Sequence, residues 1–562
     1  MRDINFKPWW HNKVIYQVYP RSFYDSNGDG FGDIRGIIQK LDYIVDLGVD
    51  IVWISPFFKS PQRDFGYDVS SYLDVSEEYG TLNEIFELIE AAHAKGLKVM
   101  FDLVLNHTSD EHPWFIEANS SKDNPKSDWY VFADGKGSSG KKHPNNWRCD
   151  LQLKSGWQWS KNREQFYFAT FLPFQPDLNW RNQELKSEMF SMIQFWLKKG
   201  VDGFRLDIFG AIMKDEKLRS NKFRPSIDPN GPHLIDKRYT LNTSENFQLA
   251  YELRAKCDEI NPQAVLIGEV FGSDKVLKNY LGENSPSSIS TSPTVDGVDE
   301  GFTTPGLNLV FLFDFLTFKY SAEFFRNKIN NYEKQFPDPL QPTYVFENHD
   351  RSRLMGRLNN NVDKARNLAL LQLTLRGVVT LYQGQEIGME NTYIPLKKAQ
   401  DPIARDYFYW IPEVINKRIT ERLNRDEVRT PMQWNAEDNG GFTTAKKPWL
   451  MVNSNYRRLN VFDQQNDPRS LINLYKNLLD IRKRNKAFSG SLKILESENT
   501  DVLMYLRNSQ DQEAVICINF SDNPAEIKVE SKKLIFSNND KCLYDDGLLK
   551  LPPNTGVILV TR

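Results

Sequence analysis

Apolar runs of six to eight residues recur along most of the chain, separated by stretches of helical period. They are VIYQVYP (14–20), IVWISPF (51–57), KVMFDLVL (98–105), GFRLDI (203–208), AVLIGEVF (264–271), LVFLFDF (309–315), PTYVFENH (342–349) and VVTLYQGQ (378–385). Most are apolar on both faces, as expected of parallel strands covered by helices. Between them, Ile34, Ile37, Ile38, Leu41, Ile44 and Val45 form one helical stripe that Gly48 closes. Thr81 and Glu84 make a capping box ahead of Leu82, Ile85, Phe86 and Ile89, in a helix that stops near Gly96. Asn182 caps another helix, running to Gly200. Eight such units predict an α/β fold, a (β/α)8 barrel rather than a doubly wound sheet.

Two connections break the rhythm. Residues 107–177 are long, polar and rich in Trp, Asn, Lys and Gly, and read as a small domain inserted after the third strand. Residues 390–460 form a second excursion, a subdomain after strand eight. From about residue 487 short alternating strands take over (SLKILES, DVLMYLRNS, EAVICINFS, AEIKVES, GVILVTR), predicting a C-terminal antiparallel β-sandwich domain over 487–562. The barrel itself then comprises 1–106 and 178–486.

Composition narrows the function by exclusion. A net charge of −3, from 71 Lys+Arg against 74 Asp+Glu, gives no basic face for nucleic acid or an acidic membrane. No run of eighteen apolar residues and no apolar leader occurs, and the four cysteines show no CxxC spacing. A cytoplasmic protein without membrane or nucleic-acid partners is expected. Gly135–Lys142 approaches a phosphate-binding loop, but its last position is Lys and HPNNW follows where an apolar helix is required.

Three acids stand at or beyond the ends of predicted strands: Asp207 in GFRLDI, Glu269 in GEVF and Asp350 in ENHDRS. Cleaving a glycosidic bond with retention needs one carboxylate as nucleophile and one carboxylic acid to protonate the leaving oxygen. Arg205 lies two residues before Asp207, so both side chains share a strand face and the cation is expected to hold Asp207 ionised. Glu269, in drier surroundings, then supplies the proton. His349 and Asp350 fit hydroxyl binding.

These stretches, together with DLVLNHTS (102–109), resemble the four signature regions of the α-amylase family of glycoside hydrolases. FQPDLNW (174–180), GYDVSSY (66–72) and RTPMQW (429–434) are similar to marks of its branch of α-glucosidases, oligo-1,6-glucosidases and sucrose isomerases. The resemblance implies Asp207 as nucleophile, Glu269 as acid/base and Asp350 as third carboxylate. It implies that Arg205, His107 and His349 hold a glucose on which Tyr67 stacks. Asp68 and Arg429 pair around its non-reducing end, Gln175 lines the pocket, and Asp102 and Asn106 serve as support. Short oligosaccharides or disaccharides are the implied substrates, for a monomer or homodimer.

Asp25, Asn27, Asp29, the carbonyl of Phe31 and Asp33 form the front of an EF-hand-like loop, although Gly36 stands where an EF-hand has its Glu. Related α-glucosidases hold a structural divalent ion in a matching loop, so Ca²⁺ is expected here, with Mg²⁺ as the alternative. Ile208, β-branched like the Val that accompanies α-1,6 cleavage in related enzymes, favours isomaltose-type activity, with α-1,4 cleavage also open. Sucrose isomerisation or glucosyl transfer is the alternative fate of the same intermediate. Arg351-Ser352-Arg353 is expected to line the acceptor side, and departs from the Arg-Leu-Asp-Arg-Asp run of isomaltulose synthases.

Overall fold

The structure is a computed structural model that describes residues 8–150, 154–228, 231–282, 305–415, 423–530 and 532–561. Strands β1 (Val14–Val18), β2 (Ile51–Ile54), β3 (Lys98–Val104), β4 (Gly203–Asp207), β5 (Val265–Gly268), β6 (Leu309–Leu312), β7 (Thr343–Val345) and β8 (Val378–Tyr382) close into a barrel in chain order. Each predicted apolar run contains one of them. Strand β4 is buried along its whole length, which is why it reads as a continuous apolar run broken only by functional charges.

Within this frame the chain forms two compact units, one of Met1–Pro8, Ile54–Ile89 and Val99–Phe311, the other of Trp9–Trp53, Glu90–Lys98 and Leu312–Arg562. In the first, parallel pairing sets Asp102 of β3 opposite Arg205 of β4, and Ile267 of β5 on Arg205's other side. The register continues through Gly268 opposite Leu206, so the next step brings Glu269 level with Asp207. Gly203 makes that close pairing possible: a Cβ there would stand 2.3 Å from the Val265 carbonyl oxygen. Asn182 caps the helix Gln183–Lys198 as predicted, accepting from the Leu185 N–H at 3.0 Å.

The insert has structure of its own. It contains the helix Pro113–Ala118 and an antiparallel sheet ordered Phe132–Ala133, Gln165–Phe168, Trp157–Ser160. Trp147, Trp157, Phe166 and Phe168 fill its core, with the two indoles stacked at 5.8 Å. A hairpin of Phe223–Asp228 and Gly231–Ile235 follows β4. Two prolines and a polar sequence without alternation hid it from the pattern reading.

In the second unit, the single stripe read over 34–45 is two helices, Ile34–Gln39 and Leu41–Leu47. The break falls at Lys40, whose ammonium lies over the rings of Tyr24 and Trp434 at 4.1 and 4.4 Å. Gly48 ends the second helix in the left-handed conformation, as expected. The 390–460 excursion carries the short helix Pro402–Tyr407, and residues 416–422 lie outside the described residues. The C-terminal domain pairs a five-stranded with a three-stranded antiparallel sheet around Val502, Val515, Cys517, Ile527, Leu549 and Val557. Three of its strands, Lys533–Ser537, Leu543–Asp545 and Leu548–Leu551, were not anticipated. Cys149, Cys257, Cys517 and Cys542 are free thiols. Among the described residues, no helix is long and apolar enough to cross a membrane.

Candidate active site

The registers of β3, β4 and β5 gather three acids around one cation. Arg205 donates through one nitrogen to Asp102 at 2.8 Å and Asp207 at 2.7 Å, and through the other to Glu269 at 2.5 Å. The Ile208 N–H donates to the same Glu269 oxygen at 3.1 Å. Asp102 is fully buried and also accepts from the Tyr67 hydroxyl at 3.4 Å. Tyr67 follows Gly66, whose φ of 99° and close approach to the Pro56 carbonyl leave no room for a side chain.

The charge state departs from the sequence expectation. Burial pushes the Asp207 carboxyl well above its ordinary value; Arg205 opposes this, but the charges of Glu269 and Asp102 add to it. One guanidinium cannot neutralise three buried carboxylates. A hydrogen bond with the Glu269 carboxyl adds to the rise. The expectation that Arg205 holds Asp207 ionised meets the opposite direction, because burial outweighs the cation.

Both ring nitrogens of His107 are engaged inside the protein. Asn106 donates to Nδ1 at 3.1 Å and Nε2 donates to the Tyr67 carbonyl at 3.0 Å. Burial lowers its pKa, so the ring is neutral. Gln175 donates to Asp64 at 2.9 Å and to the Tyr67 carbonyl at 3.4 Å, and accepts from the Leu172 N–H at 3.1 Å. Asp68 accepts from Ser60 Oγ at 2.9 Å and from the N–H groups of Arg63 at 2.9 Å and Asp64 at 3.0 Å. Lys214, which the sequence reading missed, is buried with its ammonium 2.5 Å from Asp177 and 2.6 Å from Asn106 Oδ1. The available signal was a lone cation in the apolar run GAIMK just after the nucleophile strand.

The second unit organises Asp350. Arg429 is fully buried, donating to the His349 carbonyl at 2.9 Å and to Asp350 at 2.7 Å, with its guanidinium 5.5 Å from the Tyr19 ring centre. His349 Nδ1 meets Gln17 at 2.7 Å and Nε2 meets Asp350 at 3.2 Å, with Tyr19 stacked on the imidazole. Arg425, a second cation not foreseen, stands 3.6 Å from Asp350 and 2.8 Å from Asp401. Arg353 takes a different role from the one expected. It is fully buried, paired with Glu347 at 2.7 Å and donating to the Gln383 carbonyl at 3.0 Å, so it braces the loop instead of lining an acceptor site.

Residues 17–490 match the α-amylase catalytic domain. The chain belongs to the α-amylase family. An oligo-1,6-glucosidase of Parageobacillus thermoglucosidasius is 35% identical over 95% of both chains, and a probable α-glucosidase of Rhizobium meliloti is 36% identical over 94% of this chain and 92% of the relative. Among solved structures, an α-glucosyl transfer enzyme superposes with a TM-score of 0.87 at 35% identity, over 99% of this chain and 100% of the other. The trehalulose synthase of Pseudomonas mesoacidophila does so at 0.86 and 30% identity, over 99% of this chain and 100% of that one. This α-amylase family member is a glycoside hydrolase of the α-glucosidase type.

A small open pocket lies in the first unit. Phe168 and Phe171 of the insert, Ile208 after β4 and Phe271 after β5 line it. Lys237 and Asp150 pair across it at 2.5 Å.

In the loop after β1, Asp25 accepts from the N–H groups of Asn27 at 3.0 Å, Gly28 at 2.7 Å and Gly30 at 2.8 Å, and from the Thr443 hydroxyl. Asp33 accepts from the Ser26 N–H at 2.9 Å and caps a helix at the Gly36 N–H. Asn27 and Asp29 accept from the N–H groups of Asp29 and Phe31. Among the described residues, no three acidic, imidazole or thiol side chains form a metal cluster, so an ion here would draw on Asn27 and the Phe31 carbonyl as well. The donor set fits a hard cation, because it is all oxygen and includes two buried carboxylates, Asp25 and Asp33.

Asp68 yields a pH test. Burial, reinforced by the Asp64 charge, raises its carboxyl to about 7. An unfolded Asp titrates near ~3.9, so the native chain binds more protons across that window and loses stability as pH rises from about 4 to 7. Asp68→Asn removes this titration. Its melting temperature is expected to depend less on pH between about 5 and 8 than that of the parent, and an unchanged slope contradicts the assignment.

Proposed function

We propose that the enzyme is an exo-acting, retaining α-glucosidase that removes terminal α-linked glucose from short oligosaccharides through a covalent glycosyl-enzyme. The observation that carries this reading is the guanidinium shared by Asp207 at 2.7 Å and Glu269 at 2.5 Å. Carboxyls that share one guanidinium stand close together, as the pair of a retaining enzyme does, rather than apart around an attacking water. Asp207 attacks the anomeric carbon as the glycosidic C–O bond breaks, and Glu269 gives its proton to the leaving oxygen. Glu269 then takes a proton from water as that water displaces Asp207.

Arg205 orients both acids, Tyr67 offers its ring to the sugar face, and Gln175 and Asp68 shape the glucose pocket from the first unit. His107 fixes the Tyr67 backbone. Asp350, held by Arg429 and His349, is the third carboxylate and binds hydroxyls. Ile208 and the oligo-1,6-glucosidase relatives support a preference for α-1,6 linkages. Likeness to the α-glucosyl transfer enzyme and the trehalulose synthase favours transfer as the second reading. We also assign a structural Ca²⁺ to Asp25, Asn27, Asp29, Asp33 and the Phe31 carbonyl.

Asp207→Ala is expected to lose about four decades of kcat or more at unchanged melting temperature, and a variant keeping most activity refutes the nucleophile. Initial rates on isomaltose should exceed those on maltose; a large maltose preference overturns the linkage assignment. With sucrose, glucose and fructose should dominate, whereas accumulating isomaltulose or trehalulose would establish the second reading. Chelation should lower the melting temperature and added Ca²⁺ restore it, an effect whose absence removes the ion.

A further inference from the structure

We propose that Gln17 is a positioning residue for His349, donating its amide N–H to Nδ1 so that Nε2 carries the ring proton toward Asp350 and the sugar. The inference rests on the reading of His349 and Asp350 as groups that bind a glucose hydroxyl. The side chain of Gln17, within the β1 sequence VIYQV, is fully buried. A buried amide is costly unless it is hydrogen-bonded, so its position demands a partner. Strand pairing fixes where it stands. Gln17 lies opposite Tyr382 of β8, and its carbonyl accepts from the Gln383 N–H at 3.0 Å. From there the amide nitrogen reaches His349 Nδ1 at 2.7 Å.

An amide nitrogen has only protons to offer, so the Nδ1 that faces it presents a lone pair. The far edge of the ring leads to the same tautomer. Nε2 stands 3.2 Å from Oδ2 of Asp350, where two lone pairs would repel, so the ring proton sits on Nε2. The aromatic contacts of the ring cannot make this choice. Tyr19 stacks on the imidazole with centres 5.9 Å apart, and Trp53 meets it edge-to-face at 6.4 Å. Both hold the plane of the ring, but a half-turn about the Cβ–Cγ bond keeps that plane and exchanges nitrogen for carbon on each edge. Arg429 binds the His349 main chain, through its carbonyl. Gln17 supplies the directional contact that tells one edge from the other. With Nε2 protonated beside a carboxylate, one sugar hydroxyl finds a donor in the imidazole and an acceptor in Asp350. A ring turned over would offer that hydroxyl a C–H instead.

Because Gln17 acts through His349, a double-mutant cycle separates this role from a merely structural one. Gln17→Met keeps the length of the side chain and removes the donor. It should lower kcat/KM about tenfold, the scale of one lost hydrogen bond, on whichever of isomaltose and maltose is the better substrate. In a His349→Asn background the same change should cost less than about twofold. An equal loss in both backgrounds overturns the proposal. Should Gln17→Met fail to fold, nitrogen NMR on the unaltered protein, labelled at histidine, decides the matter. The ring signals of His349, identified by their loss in His349→Asn, should show Nε2 protonated and Nδ1 bare at neutral pH. A proton on Nδ1 means that Gln17 accepts where it should donate, and overturns the proposal. Full kcat/KM in His349→Asn would instead remove the sugar-binding reading, while the Nδ1 signal still reports the direction of the Gln17 contact.

Discussion

A single guanidinium surrounded by three carboxylates is the interaction on which the catalytic half of the first unit depends. Desolvated carboxylates are costly, and Arg205 makes their burial tolerable by presenting a planar fork to Asp102, Asp207 and Glu269 together. A lysine could not serve all three, since a point charge on a flexible stem lacks that geometry. Three carboxylates against one cation leave the cluster two positive charges short of balance, and with burial this raises the Asp207 carboxyl above its ordinary range.

The second unit sets two guanidiniums on its acid. Around Asp350 stand Arg429 and Arg425, with the His349 imidazole beside them. Arg425 also binds Asp401, held below the ordinary carboxylate range because Arg425 outweighs its burial. Asp426 next to it is raised to about 6 by burial and by the Asp401 charge. Arg429 and His349 thereby orient Asp350 as an acceptor, which suits a group that binds hydroxyls.

The barrel was legible because each strand is a short, doubly buried run, the kind of segment periodicity detects best. Asp207, Glu269 and Arg205 were legible because strand geometry places residues i and i+2 on one face and acids at strand ends. What pattern reading missed depends on the third dimension. It expected Arg205 to dominate at Asp207, since it weighed the adjacent cation without the burial and without Asp102 across the register. Arg353 looked like an exposed acceptor-side residue, yet its partner Glu347 lies only six positions back, facing inward. Lys214 was passed over because its partners, Asp177 and Asn106, come from distant segments. The hairpin at 223–235 is polar and proline-broken, and the later strands of the C-terminal domain are only three to five residues long, so their pairing was invisible locally.

The buried Lys214–Asp177 contact has a further consequence for how such chains diversify. The inserted module supplies the anion, but the cation that answers it belongs to the host barrel, a few residues past the nucleophile. Removing either member strands a buried charge. An exchanged module therefore needs a scaffold that carries the matching countercharge.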